Sequence, residues 1–336
     1  MLDLTMRLCS LDGVSGCEDA VRAFIRTEAE PYADSIMEDV MGNLLVYRKG
    51  KRYAGQTLML AAHMDEVGLI VTSVTDEGFL KFGTSGGIDA KVLLGTRVRI
   101  GSVRGVVGIR ATHLNTKEEQ KKLPAVSAMY IDIGATSKAE AETMVQPGDF
   151  VAFDNEPVLY GNMLKAKAID DRVGCAVLLK LLQEGPAVDT WFAFTVQEEQ
   201  GLRGAAAAAY RIRPDTAIIV EGTTACDLPD LPAHMQVCYP GCGPVMPVMD
   251  GATLYDPTLI RRAFEIAEKN GIPYQTKSYV AGGTDAGRIS QTAGGAKTIG
   301  VAAAVRYIHT PSSSMAVSDL ESMLALVRAL MEGILR

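Results

Sequence analysis

Val196-Gln197-Glu198-Glu199-Gln200-Gly201 closes an apolar run that begins at Trp191. The run from Trp191 to Val196 reads as a buried strand, and Gly201 opens the turn after it. Neighbouring residues on extended backbone point to opposite sides. One carboxylate of the Glu198-Glu199 pair can therefore hold a metal while the other faces a substrate. Adjacent glutamates alone are more often a solvated turn. This pair gains weight because His63, Asp65, Asp170, Glu221 and His309 lie at the ends of other apolar runs.

Those runs set the fold class. Leu58-Met59-Leu60-Ala61-Ala62 is a buried strand ending in His63-Met64-Asp65-Glu66. His63 and Asp65 are two residues apart, so they share a face if the backbone stays extended, and Asp65 can accept the free ring N–H of His63. Thr216 to Val220 is a further buried strand leading into Glu221-Gly222-Thr223-Thr224, and Lys297 to Ala304 is another, with His309 shortly after. Between them lie helical stripes. Val173, Val177, Leu178 and Leu181 follow Asp170-Asp171, one of which caps the helix. Asp256-Pro257 starts a helix that Asn270-Gly271 ends. Ser15-Gly16-Cys17-Glu18 and Ser318-Asp319-Leu320-Glu321 fit capping boxes for two more. Strands alternating with helices predict an α/β fold with a mostly parallel sheet flanked by helices. Sites in such sheets gather beyond the carboxyl ends of the strands, where most of these ligand-type residues fall.

From about Gly68 to Asn162 the texture changes. Short β-rich runs (Gly68 to Val74, Val98 to Ile100, Val103 to Ile109, Val151 to Phe153) are separated by glycines, which predicts an inserted small all-β, barrel-like domain. We expect domains at 1–66 with 164–336, and at 67–163. Lys117-Glu118-Glu119-Gln120-Lys121-Lys122 reads as a solvated charged loop, and His113 as structural. Gly282-Gly283-Thr284-Asp285-Ala286-Gly287 is glycine-rich, but its spacing is not that of a dinucleotide fingerprint.

Composition narrows the function classes. The 336 residues are 48% hydrophobic and 22% charged, with a formal charge of −7, which argues against an extended nucleic-acid footprint. No uncharged apolar run reaches the ~20 residues of a membrane span. The start, Met1-Leu2-Asp3-Leu4, has no signal-peptide pattern, and the six scattered cysteines suggest a reduced compartment, so we expect a cytoplasmic protein.

Two histidines and several carboxylates make a donor set suited to zinc, cobalt or manganese, and a bridging carboxylate lets such a set hold two ions about 3.5–4 Å apart. The ordered set His63-Met64-Asp65-Glu66-Val67-Gly68, Ile169-Asp170-Asp171-Arg172, Gln197-Glu198-Glu199-Gln200-Gly201, Glu221-Gly222-Thr223, Gly282-Gly283-Thr284-Asp285-Ala286-Gly287 and Tyr307-Ile308-His309 resembles the TET-type dinuclear metallo-aminopeptidases. These include glutamyl and deblocking aminopeptidases, and some members carry the label cellulase or endoglucanase. The resemblance spans nearly the whole chain.

It implies a dinuclear zinc-exopeptidase-like fold with the β-insertion serving dimerisation, two divalent ions per subunit, zinc or cobalt first, and short peptides as substrates. His63, Asp170 and Glu221 would hold one ion, and Asp170, Glu199 and His309 the other. Glu198 would be the general base and Asp65 would orient His63. Family members commonly form homo-oligomers, tetrahedral dodecamers with an enclosed chamber; neither nucleic acid nor membrane is an expected partner. Many members have aspartate where this chain has Glu221, and Thr310-Pro311-Ser312-Ser313 departs from the serine-proline pattern often found there. Arg288 follows the glycine-rich loop; if it lines the pocket, it would pair with an acidic N-terminal side chain. The competing readings are a metal-dependent deacylase or amidase on the same scaffold and a non-catalytic assembly protein. A glycosidase fits poorly, because it normally needs a carboxylic-acid pair without metals.

Overall fold

The computed structural model describes residues 1–114, 116–117, 122–280 and 282–335. Glu118, Glu119, Gln120 and Lys121 of the charged run lie outside the described residues. Helices α1 (Leu2–Ser10) and α2 (Asp19–Ala29) lead into strands β1 (Ser35–Glu38), β2 (Leu44–Arg48) and β3 (Leu58–His63). Six barrel strands follow: β4 (Gly68–Val74), β5 (Leu80–Ser85), β6 (Arg97–Ile100), β7 (Val103–Ile109), β8 (Met129–Asp132) and β9 (Phe150–Phe153), with the short helix α3 (Lys138–Glu142) before β9. The chain returns through β10 (Val158–Tyr160), β11 (Met163–Ala166), α4 (Ile169–Glu184), β12 (Thr190–Thr195), α5 (Arg203–Ile212) and β13 (Thr216–Thr224). It ends with α6 (Pro257–Lys269), α7 (Ala286–Ile289), β14 (Lys297–Val305), β15 (Ser313–Ala316) and α8 (Val317–Gly333).

The main sheet has the order β1-β2-β12-β3-β13-β14. The pairings from β12 through β14 are parallel, and β1 and β2 add an antiparallel edge. Its central strands are apolar on both faces, as a sheet covered on both sides requires. Leu58, Leu60 and Ala62 join a core with α1, α2, α4 and α8, whereas Met59 and Ala61 join a second core with α5 and α7. The six barrel strands close in the order β4-β5-β8-β7-β6-β9 around Leu69, Val98, Val107, Ile131 and Phe153. The barrel therefore has a core of its own.

Neither capping box of the sequence caps its helix. Helix α2 begins after Glu18, which makes no cap, and α8 begins at Val317, before Ser318. Glu18 Oε1 instead accepts from the backbone N–H groups of Gly16 (2.7 Å) and Gln197 (3.2 Å). Asp319 accepts from those of Gly241 (2.8 Å) and Gly243 (3.1 Å). Short polar side chains satisfy orphan backbone donors wherever these are, and here the donors belong to distant loops. At α4 the two aspartates divide the tasks. Asp170 and Asp171 have non-helical φ/ψ, and Asp171 Oδ1 accepts from Gly174 N at 2.9 Å, in the manner of a cap. Asp170 is left to face elsewhere.

A buried ionic cluster joins the segments that carry the site. Glu66 Oε1 accepts from Lys167 Nζ (2.6 Å) and from the backbone N–H of Gly13 (3.0 Å), and lies 3.4 Å from Arg172 Nη2. Lys167 also donates to Leu11 O and Asp12 Oδ1, both at 2.9 Å, and Arg172 Nη1 donates to Leu8 O at 2.7 Å. Asp12 in turn takes two hydrogen bonds from Arg99 of the barrel, at 2.6 and 2.7 Å. Lys167 and Arg172 are fully buried. Removing one partner of a buried ion pair strands the other, which costs about 3–5 kcal/mol. Lys167→Met should therefore lower the midpoint of thermal unfolding by several degrees. An unchanged midpoint in a scanning fluorimetry trace would show that the cluster carries no such weight.

Candidate metal centre

His63 ends β3 and is almost fully buried. Its Nδ1 lies 3.3 Å from Asp65 Oδ1 and 3.2 Å from Asp65 O, so Asp65 can fix which ring nitrogen carries the proton. The other nitrogen, Nε2, lies 3.4 Å from Asp170 Oδ1 and 3.5 Å from Glu221 Oε2. His309 sits in a loop with positive φ at Tyr307 and at His309 itself. Its Nε2 is 3.1 Å from Glu199 Oε1 and 3.6 Å from Asp170 Oδ2, and its Nδ1 is 2.9 Å from Gly87 O in the loop after β5. Asp170 thus offers one oxygen to each imidazole. The chain presents two groups, His63-Asp170-Glu221 and Asp170-Glu199-His309, whose ligand-type atoms lie within 4.8 Å of one another.

The Glu198-Glu199 pair differs from the sequence expectation. Strand β12 ends at Thr195, and the two glutamates lie in a turn in which Gln197 and Gly201 have positive φ. Both therefore line one cavity instead of facing opposite ways. Asp65 holds this turn: its Oδ1 accepts from Glu198 N (3.0 Å) and its Oδ2 from Glu199 N (3.1 Å). Ser15 Oγ also donates to Asp65 Oδ2. Asn43 Oδ1 accepts from Val196 N at 3.0 Å, and Glu18 accepts from Gln197 N. Sequence reasoning found Asp65 but missed Ser15, Glu18 and Asn43. The Ser15-Glu18 pattern was a visible signal, read as a helix cap. Glu221 lies inside β13, three residues before its end at Thr224, and not beyond the strand.

The cavity, of about 420 Å³, is lined by Asp170, Glu198, Glu199, Glu221 and His309 and by Gly282, Gly283 and Thr284 of the glycine-rich loop. Arg288 is exposed on α7 and does not line it, which removes the expected role for that residue. Among the described lining residues the lysine or arginine present is Lys277.

Charge is crowded here. Burial works against protonation of His63, yet its contacts with Asp170 and Asp65 outweigh this and hold its pKa well above the usual range. Burial likewise opposes the charge on His309, but Asp170 and Glu199 push its pKa up to about 11. Burial would raise Asp170; the two imidazoles win and hold it below the carboxylate range. Burial pushes Glu198 and Glu221 well above that range, despite His63 nearby. Glu221 Oε1 is buried with no hydrogen-bond partner among the described residues. Imidazole nitrogens, several carboxylates and an unsatisfied carboxylate oxygen form a donor set that fits hard-to-borderline divalent cations. An excess of buried negative charge is what such cations offset.

The profile of the M42 glutamyl aminopeptidase family matches residues 42–326, and the chain belongs to that family. A putative aminopeptidase of Acetivibrio thermocellus is 41% identical over 97% of each chain. Among solved structures, a TET aminopeptidase from a marine-sediment Thaumarchaeota archaeon aligns with a TM-score of 0.95 at 33% identity, covering 98% of this chain and 95% of that one. A Pyrococcus horikoshii TET1 peptidase, which can assemble into a tetrahedron or a large octahedral shell, aligns with a TM-score of 0.86 at 33% identity over 98% of each chain.

The pKa directions give a pH dependence. A metal ligand imidazole must be neutral. In the metal-free chain both imidazoles are held protonated at neutral pH, so loading must release protons and weaken as pH falls. The sign for stability follows from His309: its folded value of about 11 exceeds the ordinary 6.5. Its contribution to the metal-free chain is present below 6.5 and fades as pH rises toward about 11. Zinc titration calorimetry in two buffers of different ionisation heat should show net proton release at pH 7. Binding without proton release would contradict this account.

Proposed function

We propose that this M42-family peptidase removes N-terminal residues from short peptides at a site built for two divalent cations, with Glu198 as the general base. The observation that carries the reading is Asp170, whose two oxygens face two separate imidazole-carboxylate groups. His63, Asp170 and Glu221 would hold one ion, zinc or cobalt, and Asp170, Glu199 and His309 the other. Bound there, the ions would polarise a peptide carbonyl and lower the pKa of a water.

The chain's own residues do the rest. Glu198 lines the cavity yet belongs to neither ligand group. Its burial raises its proton affinity toward the working range of a general base. Glu198 takes a proton from the water as the water oxygen attacks the carbonyl carbon, and passes it to the amine nitrogen as the C–N bond breaks. Asp65 fixes the orientation of His63 and, through the N–H groups of Glu198 and Glu199, the turn that carries both carboxylates. Lys277 also lines the cavity, and its positive charge would favour an acidic N-terminal side chain.

We also propose the boundaries 1–66 with 164–336 for the catalytic domain and 67–163 for the barrel, with the barrel serving self-association in a homo-oligomer, a dodecamer by analogy with the TET structures. The edge strand β10, with Val158, Leu159 and Tyr160 all exposed, supports a further contact between copies. Light scattering should give a large particle at micromolar concentration, and deletion of residues 70–160 a smaller one; a monomeric full chain would overturn the assembly.

The activity is tested with glutamyl, leucyl and lysyl nitroanilides, acyl amino acids and cellulose, with and without added zinc or cobalt. Glutamyl substrates should be cleaved fastest, and only in the metal-supplied arm. Glu198→Gln keeps the shape of the side chain but accepts no proton. It should retain both ions and lose about 10²–10⁴-fold in turnover. Glu199→Gln should lose metal first, and excess metal should partly restore it. A metal-poor Glu198→Gln beside a metal-replete, inactive Glu199→Gln would mean that the two roles are exchanged, and full activity in both would place the chemistry elsewhere.

A further inference from the structure

Asp285 is fully buried and takes no part in the ligand groups described above. It stands at the start of α7, but its side chain does not cap that helix. Its Oδ2 lies 2.5 Å from Thr195 Oγ1, and its Oδ1 is buried with no hydrogen-bond partner among the described residues. Thr195 is itself fully buried, and its Oγ1 also lies 3.2 Å from Ala62 O. Thr195 is the last residue of β12, three before Glu198. Ala62 immediately precedes His63 on β3. The three groups therefore form a line from the glycine-rich loop, through the strand that carries the glutamates, to the strand that carries the histidine.

The proton count along this line decides its chemistry. A threonine hydroxyl has one proton and can donate one hydrogen bond. Ala62 O can only accept. If Asp285 were ionised it too could only accept. Two full hydrogen bonds, in place of one proton shared between two acceptors, are made when Asp285 carries a proton, donates it to Thr195 Oγ1, and Thr195 donates to Ala62 O. The unsatisfied Oδ1 agrees: a neutral acid tolerates a bare carbonyl oxygen in the interior far better than a carboxylate does. The titratable groups facing Asp285 are His63 and Asp65 from the end of β3 and Glu198 from the turn after β12. Burial raises its pKa to about 6 in that company, in the same direction.

We infer that Asp285 is a positioning residue that acts as a neutral carboxylic acid, donating to Thr195 and so clamping the end of β12 against the end of β3. The clamp sets the spacing between Glu198 and His63, and with it the reach of the general base. This inference rests on the aminopeptidase reading only where turnover is measured.

The test uses the metal-loaded, full-length protein. Infrared difference spectra of wild type minus Asp285→Asn should contain the carbonyl stretch of a protonated carboxylic acid at about pH 6, where an ordinary aspartate is ionised. Absence of that band, with only carboxylate stretches, overturns the proposal and needs no substrate. For turnover, Asp285→Ala should lose roughly ten- to hundredfold in kcat, the scale of a misplaced catalytic group, with KM and metal content little changed. Asp285→Asn, whose amide N–H₂ can replace the acid as donor to Thr195, should restore most of that loss. Equal damage by Asn and Ala in folded, metal-replete protein would show that the ionised form is the one required. If Asp285→Ala does not fold, Thr195→Val and Thr195→Ser make the same comparison: valine should lose kcat and serine recover it, and no difference between them overturns the clamp. If no variant nor the wild type cleaves any peptide, the aminopeptidase reading fails while the infrared result still judges Asp285.

Discussion

The structure depends on a single buried carboxylate oxygen. Glu66 Oε1 draws together the ammonium of Lys167, the guanidinium of Arg172 and the backbone N–H of Gly13. Each partner is next to something the site needs. Glu66 follows Asp65 and lies three residues after His63; Lys167 and Arg172 flank Asp170. Bringing two cations and an anion out of water is costly, and the cost is met only if the geometry is held and the remaining donors find acceptors. The carbonyls of Leu8 and Leu11 and the carboxylate of Asp12 supply those acceptors. The end of α1, the exit from β3 and the entry to α4 are thereby fixed at one point, directly behind the metal-type ligands.

Asp65 plays the corresponding part on the cavity side. With two oxygens it serves the His63 ring, the backbone of Glu198 and Glu199, and the hydroxyl of Ser15. Burial opposes its charge, but His63, Ser15 and the Glu198 amide overcome that and keep its pKa low. A carboxylate that must stay ionised to orient its neighbours is thus kept ionised by those same neighbours.

How much of this was legible in the sequence depended on whether a residue's partner was local. The strands of the parallel sheet were readable because both their faces are apolar, which leaves uninterrupted runs such as Leu58 to Ala62. His63, Glu199 and His309 were readable as residue types placed at strand exits. Strands β1, β5 and β8 were not, since β1 buries none of its residues fully and the alternation of β5 and β8 runs over only a few residues. Polar residues bound to distant partners were misread: Ser15 and Glu18 look like a helix capping box because capping and loop-holding use the same chemistry. Arg288 was placed in the pocket because it follows the glycine-rich loop, but the helix there turns it outward, and Lys277, further back in the chain, faces the cavity instead. Nothing local marks Lys277.

The contact between His309 Nδ1 and Gly87 O joins the far end of the chain to a loop of the barrel. The first ligand group draws on β3, α4 and β13 and could form within the sheet. The second cannot: it needs position 170, position 199 and position 309, with the ring steadied by the backbone at position 87. A ribosome must therefore complete most of the chain before His309 can meet Gly87. The order of synthesis itself delays the assembly of the second ligand group until the barrel and most of the sheet have been made.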